Sequence, residues 1–125
     1  MASTDQLSLH FERLVKNTVD LKAILVTDRD GVILVKVEEP NLPGKVTKAA
    51  LSATFSLSCD QAGKLGMGKA LMVMSTFDEY QIVQFTYAPL ILSLIAPTHA
   101  NSGLLMEIGS QLKNEVLILA RALVM

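Results

Sequence analysis

A chain of 125 residues that is half hydrophobic, under one-fifth charged and of net charge −1 is long enough to bury its own core without metal or disulfide staples. Its lysines and arginines form no basic stripe, which speaks against nucleic acid or an anionic membrane surface as a direct partner. The single cysteine, Cys59, excludes an internal disulfide and fits a reducing compartment.

The first element is a helix expected over Thr4 to Asn17, with Leu7, Phe11, Leu14 and Val15 on one face and Ser3 or Thr4 as its cap. Ala23 to Thr27 is apolar and β-branched and reads as a strand. Asp28-Arg29-Asp30-Gly31 is a turn in which Gly31 takes positive φ. Val32 to Val37 returns to complete a hairpin. Glu38 to Gly44, with Pro40 and Pro43, is a loop too short to separate domains, so residues 1–125 are expected to form one domain. A second helix is expected over Lys45 to Leu65, ended by Gly63, Gly66 and Gly68. Three more strands follow at Ala70 to Ser75, Tyr80 to Phe85 and Leu90 to Ala96. A last helix, capped by Asn101 or Ser102, runs to the end with Leu105, Ile108, Leu112, Leu119 and Leu123 as its stripe. The order is α-β-β-α-β-β-β-α. Tight turns between neighbouring strands make the sheet mainly antiparallel, with helices over its faces.

The second helix carries two apolar stripes. Val46, Ala50, Ala53 and Leu57 cluster on one side and Leu51, Phe55, Cys59 and Ala62 on the other, and no residue from Ala49 to Cys59 is charged. A helix with one side in water has one apolar stripe, so two opposed stripes imply burial on both sides. The bulky pair Leu51 and Phe55 suits the chain's own sheet. The side rich in small residues suits close approach by a partner subunit, unless the first or last helix of the same chain covers it. Leu71-Met72-Val73-Met74 in the third strand is apolar on both faces. At a sheet edge it would invite a second chain to add a strand; at the centre it would be ordinary core. The partner-binding set expected from these two elements is therefore Val46, Ala50, Ala53, Thr54, Leu57, Leu71, Met72, Val73 and Met74.

Motifs for chemistry are weak. Gly63 to Ala70 matches a phosphate loop except at its last position, where Ala70 replaces the hydroxyl that would hold Mg²⁺, and the loop runs from helix to strand instead of strand to helix. Asp28-Arg29-Asp30-Gly31 has the opening of a haloacid-dehalogenase-type phosphatase, but the downstream Lys and acidic pair are missing. A plain hairpin turn explains it better. Cys59 in an apolar stripe is expected to be a buried structural thiol, and with His10 and His99 far apart no metal spacing exists. No catalytic residue, cofactor or metal is expected. No apolar run approaches the ~20 residues of a membrane span, and the first residues lack a secretory pattern, so membrane residence is expected to be borrowed from a partner.

Four stretches together carry a resemblance. They are Leu25 to Val32 (LVTDRDGV), Ser52 to Gly68 with TFSLSCDQAGKLGMG inside it, Tyr80 to Phe85 (YQIVQF), and Pro89 to Leu104 ending in ANSGL. In order and spacing they resemble the MAP-kinase scaffold (MEK-binding partner) subunits of the Ragulator complex, in the roadblock/longin superfamily. Ile33, and Ala62-Gly63 before Lys-Leu-Gly, depart from that pattern. The resemblance implies an α/β (α+β) roadblock/longin-type fold and a non-catalytic scaffold. It implies a heterodimer with a second roadblock-type subunit through the second helix and third strand. It further implies assembly with other Ragulator subunits, including a lipidated anchor, on the cytoplasmic face of late endosomes and lysosomes. There the scaffold would serve Rag GTPases in mTORC1 activation and bind MEK and ERK kinases. A homodimeric roadblock-type regulator of a small GTPase is the alternative.

Overall fold

A computed structural model describes residues 2–48, 50–51 and 71–124. The elements are α1 (Ala2–Asn17), β1 (Ala23–Asp28), β2 (Ile33–Glu38), β3 (Met72–Thr76), β4 (Tyr80–Tyr87), β5 (Leu90–Pro97), α3 (Ser102–Gln111) and α4 (Lys113–Val124). Residues 44–48 and 50–51 are helical and are called α2. The strands form one sheet in the order β2-β1-β5-β4-β3, and every neighbouring pair is antiparallel. This is the expected α+β architecture, with β2 and β3 at the two edges.

Side chains alternate across the sheet and give it two apolar faces. On one face Ile24, Val26, Val83, Phe85, Leu92 and Leu94 pack with Leu7 and Phe11 of α1, Leu105 and Ile108 of α3, and Val116 and Leu119 of α4. On the other, Ala23, Leu25, Ile82 and Ile95 meet Val46 and Ala50 of α2. With both faces covered, β5 is buried from Leu90 to Ala96. That explains why its sequence, LILSLIA, is nearly unbroken apolar and not alternating.

Local chemistry sets the boundaries. The backbone N–H groups of Asp30 and Val32 donate to the Asp28 carboxylate at 2.8 and 3.0 Å, and Gly31 has φ +87°, so the expected hairpin turn forms with glycine where it is needed. The Asn101 side chain accepts from the Leu104 N–H at 3.2 Å and caps α3. α1 begins at Ala2, ahead of the start expected at Ser3 or Thr4. The single last helix is also corrected. It divides at Leu112, although the Leu112 N–H still reaches the Ile108 carbonyl and the Val116 N–H reaches that of Leu112. The buried stripe therefore continues through Leu105, Ile108, Leu112 and Leu119.

α3 lies unusually close to the sheet. Gly109 faces the Phe85 ring so tightly that a Cβ there would overlap it. The Tyr87 hydroxyl donates to the Gly109 carbonyl at 2.8 Å, and the Phe85 and Tyr87 rings stack with centroids 5.7 Å apart. Burial pushes the Tyr87 phenol above its ordinary value of 10.0, because the phenolate would lose its water. This neutral-form preference supports stability in full below pH 10.0 and is lost as pH rises through the raised value.

Two outcomes are expected in denaturant titrations. Gly109→Ala should destabilise the fold by roughly 1–3 kcal/mol, since the methyl must displace the Phe85 ring. Thr27 is fully buried, and its hydroxyl has no hydrogen-bond partner among the described residues. Thr27→Val should therefore raise stability, by about 1 kcal/mol, as it removes an unsatisfied polar group; an unchanged or lower midpoint would contradict that account.

Candidate functional site: the open edge of the sheet

The two sheet edges differ in chemistry. β2 carries Lys36 and Glu38, which pair at 3.5 Å. Its ladder with β1 is irregular at Val26/Thr27, and α1 packs along it. Charges and bulges of this kind hinder strand addition. Among the described residues, β3 has none of these devices. Its residues Met-Val-Met-Ser-Thr contain no charge or proline, and its register with β4 runs unbroken from Met72↔Phe85 to Thr76↔Gln81.

The apolar side chains of β3 are also left in solvent. Leu71, Met72 and Met74 are 74%, 39% and 37% exposed, and Phe77 just beyond the strand is 49% exposed. Val73 is half-buried. The register puts Met72 and Met74 on the same face as Phe85 and Val83, and Val73 with Gln84 on the α2 face. Both faces of the edge are therefore apolar, as expected, and the strand is an edge and not the centre of the sheet.

The second helix requires a correction. Val46 and Ala50, assigned from the sequence to a partner, are 6% and 1% exposed and pack on the chain's own sheet against Leu25, Ile82 and Ile95. Leu51, assigned to the sheet, is only partly buried at the margin of that cluster. Polar contacts fix this rotation. The Gln84 side-chain amide donates to the Ala50 carbonyl at 3.3 Å and to the Ser93 hydroxyl at 3.1 Å. The Thr47 hydroxyl donates to the Glu38 carboxylate at 2.9 Å. Ala50 is small because the helix comes down on this polar row. Ala53, Thr54 and Leu57, the rest of the expected set, lie outside the described residues, as do Cys59 and the glycine-rich stretch from Gly63 to Ala70.

The remaining candidates for chemistry are accounted for locally. The Asp28 carboxylate is engaged by its own turn. Among the described residues no group of three or more His, Cys, Asp or Glu side chains could hold a metal, and no helix is long and apolar enough to cross a membrane. His10 and His99 stand apart, each beside a single carboxylate, Glu115 at 3.5 Å and Asp20 at 3.4 Å.

The model of the mitogen-activated protein kinase kinase 1 interacting family matches residues 5–121, from α1 to α4. The chain belongs to this family. The family match spans the whole sheet, including the open edge. A Ragulator complex protein LAMTOR3 from Tetraodon nigroviridis is 40% identical over 108 residues, which cover 86% of this chain and 87% of the relative. Among solved structures, a roadblock/LC7 domain from Streptomyces avermitilis superposes with a TM-score of 0.72 at 16% identity, over 87% of this chain and 92% of that one. The gliding protein MglB from Thermus thermophilus does so with a TM-score of 0.75 at 15% identity, over 98% and 93%. At such identities the structures speak for the fold alone, and the fold of this family member is the roadblock type.

Replacing Met72 and Met74 together by Lys should lower stability by no more than about 2 kcal/mol, because each is more than one-third exposed and the lysine stems keep part of the packing. The same change should reduce self-association of the purified chain by light scattering, since edge lysines oppose strand addition. A large loss of stability would show instead that the edge is part of the chain's own core.

Proposed function

We propose that this chain is a non-catalytic scaffold subunit of a Ragulator-type assembly, acting as a single roadblock domain that heterodimerises with a second roadblock-type subunit. The observation that carries the reading is the unprotected β3 edge, with Leu71, Met72 and Met74 exposed on a sheet whose other edge carries charge and an irregular ladder. A strand from the partner would satisfy the free backbone groups and bury these side chains. The similarity to Ragulator LAMTOR3 proteins supports the assembly, and the family description supports a kinase partner of the MEK type. In this reading other Ragulator subunits, one of them lipidated, hold the chain at the cytoplasmic face of late endosomes and lysosomes, where it links MEK and ERK kinases and Rag GTPases to mTORC1 activation. Ala53, Thr54 and Leu57 stay in the proposed contact as the share of the second helix.

A second reading, a homodimeric regulator of a small GTPase, draws on one feature: β3 carries no charge that would repel the same strand of a second copy. Light scattering on the chain alone, and then mixed with the Ragulator roadblock partner, separates the two. A 1:1 complex that replaces a monomer or aggregate is the expected result. A tight homodimer indifferent to the partner would favour the second reading. Met74→Lys should abolish the heterodimer in the same measurement.

A further inference from the structure

A groove of about 690 Å³ opens at the C-terminal end of β3, between the first turn of α2 and the β3–β4 turn. Val46, Tyr80 and Ile82 form its apolar side, and Phe77, Asp78 and Glu79 stand along the turn. Phe77, Asp78 and Glu79 are exposed, and neither carboxylate has an ion pair among the described residues. Lys45 on the opposite bank is exposed and, among the same residues, likewise without an ion pair, so the groove has an excess of one negative charge.

The turn itself is held rigidly. The Phe77 N–H donates to the Tyr80 carbonyl at 2.8 Å, and the Thr98 N–H donates to the Glu79 carbonyl at 3.0 Å. The Thr98 hydroxyl lies 2.9 and 3.2 Å from the Phe77 and Asp78 carbonyls. The loop bearing Thr98 is in turn held by the Gln81 side-chain amide, within 3.0–3.2 Å of the Pro97, Thr98 and Ala100 carbonyls. With its backbone engaged inward, the turn presents its side chains outward at little ordering penalty for a binding partner.

Strand polarity says what reaches this groove. All pairs in the sheet are antiparallel. A strand added antiparallel to β3 begins opposite Thr76 and ends opposite Met72. The partner's residues just before its own strand must then pass the β3–β4 turn. We infer that the groove between α2 and the β3–β4 turn seats the partner subunit's strand-entry segment, and that this segment is basic with an apolar side chain, matching Asp78 and Glu79 on the rim and Phe77 and Tyr80 beside them. The inference rests on the β3-edge reading above and adds the chemistry of the partner's contact.

The test is titration of the chain with its roadblock-type partner at low and high salt. Asp78→Asn with Glu79→Gln should weaken binding about five- to tenfold at low salt, with the difference closing at high salt, because rim charges act in screened solvent. Asp78→Lys with Glu79→Lys should weaken it further. Changing the partner's basic residues just before its own edge strand to Glu should restore binding to that variant. Unchanged affinity of the neutral variant at low salt, or no restoration by the charge swap, overturns the inference. If Met74→Lys abolishes the complex while the turn variants do not weaken it, the edge reading stands and only this inference falls. If Met74→Lys leaves the complex intact, both fall.

Discussion

β5 hydrogen-bonds to β1 on one side and β4 on the other, and its side chains from Leu90 to Ala96 are buried on both faces. Such a strand cannot leave either face wet without exposing apolar surface, and here both are taken out of water. Its placement requires α1, α3 and α4 over one face and α2 over the other. It also consigns β2 and β3 to the margins. The functional reading grows from the contrast between those margins.

Much of this was legible in the residues because each element follows one rule at a time. β1, β4 and β5 are apolar, bounded by turn residues, and differ from expectation by only a residue or two. The Asp28–Gly31 turn is set by a carboxylate that caps its own backbone and a glycine free to take positive φ. The break at Leu112 was not legible. The apolar stripe passes through it without interruption, and the backbone bonds on either side keep the helical spacing. Ser3 and Thr4 are good caps in isolation, yet Ala2 already lies in the helix before them, so cap preference alone does not set the start of α1.

The site was half legible. The two-sided apolar character of Leu71–Met74 is legible in the residues, but it fits a central strand as well as an edge, and only the strand order places it at the edge. The orientation of α2 could not, because residue size was the wrong signal. Small residues suit close approach to a partner, but they equally suit close approach to a sheet. What decides the matter is a contact between segments distant in sequence: Gln84 reaching the Ala50 carbonyl and the Ser93 hydroxyl. A glutamine in the middle of an apolar strand was the available clue. A buried amide must find partners, so the helix passing over Gln84 has to bring a backbone carbonyl within its reach.

The unequal edges also govern how large an assembly can become. A sheet with two receptive margins would accept a strand on each side, and the product would again have two receptive margins, so that growth would continue as a filament. Among the described residues, only the β3 margin lacks charge and irregularity. Once β3 is occupied, this chain offers at its other side Lys36, Glu38 and an irregular ladder beneath α1. Joined to a subunit built the same way, it forms a finite pair whose outer rims are closed to further strands. In the proposed pair, the stoichiometry would follow from the difference between two short strands at opposite ends of one sheet.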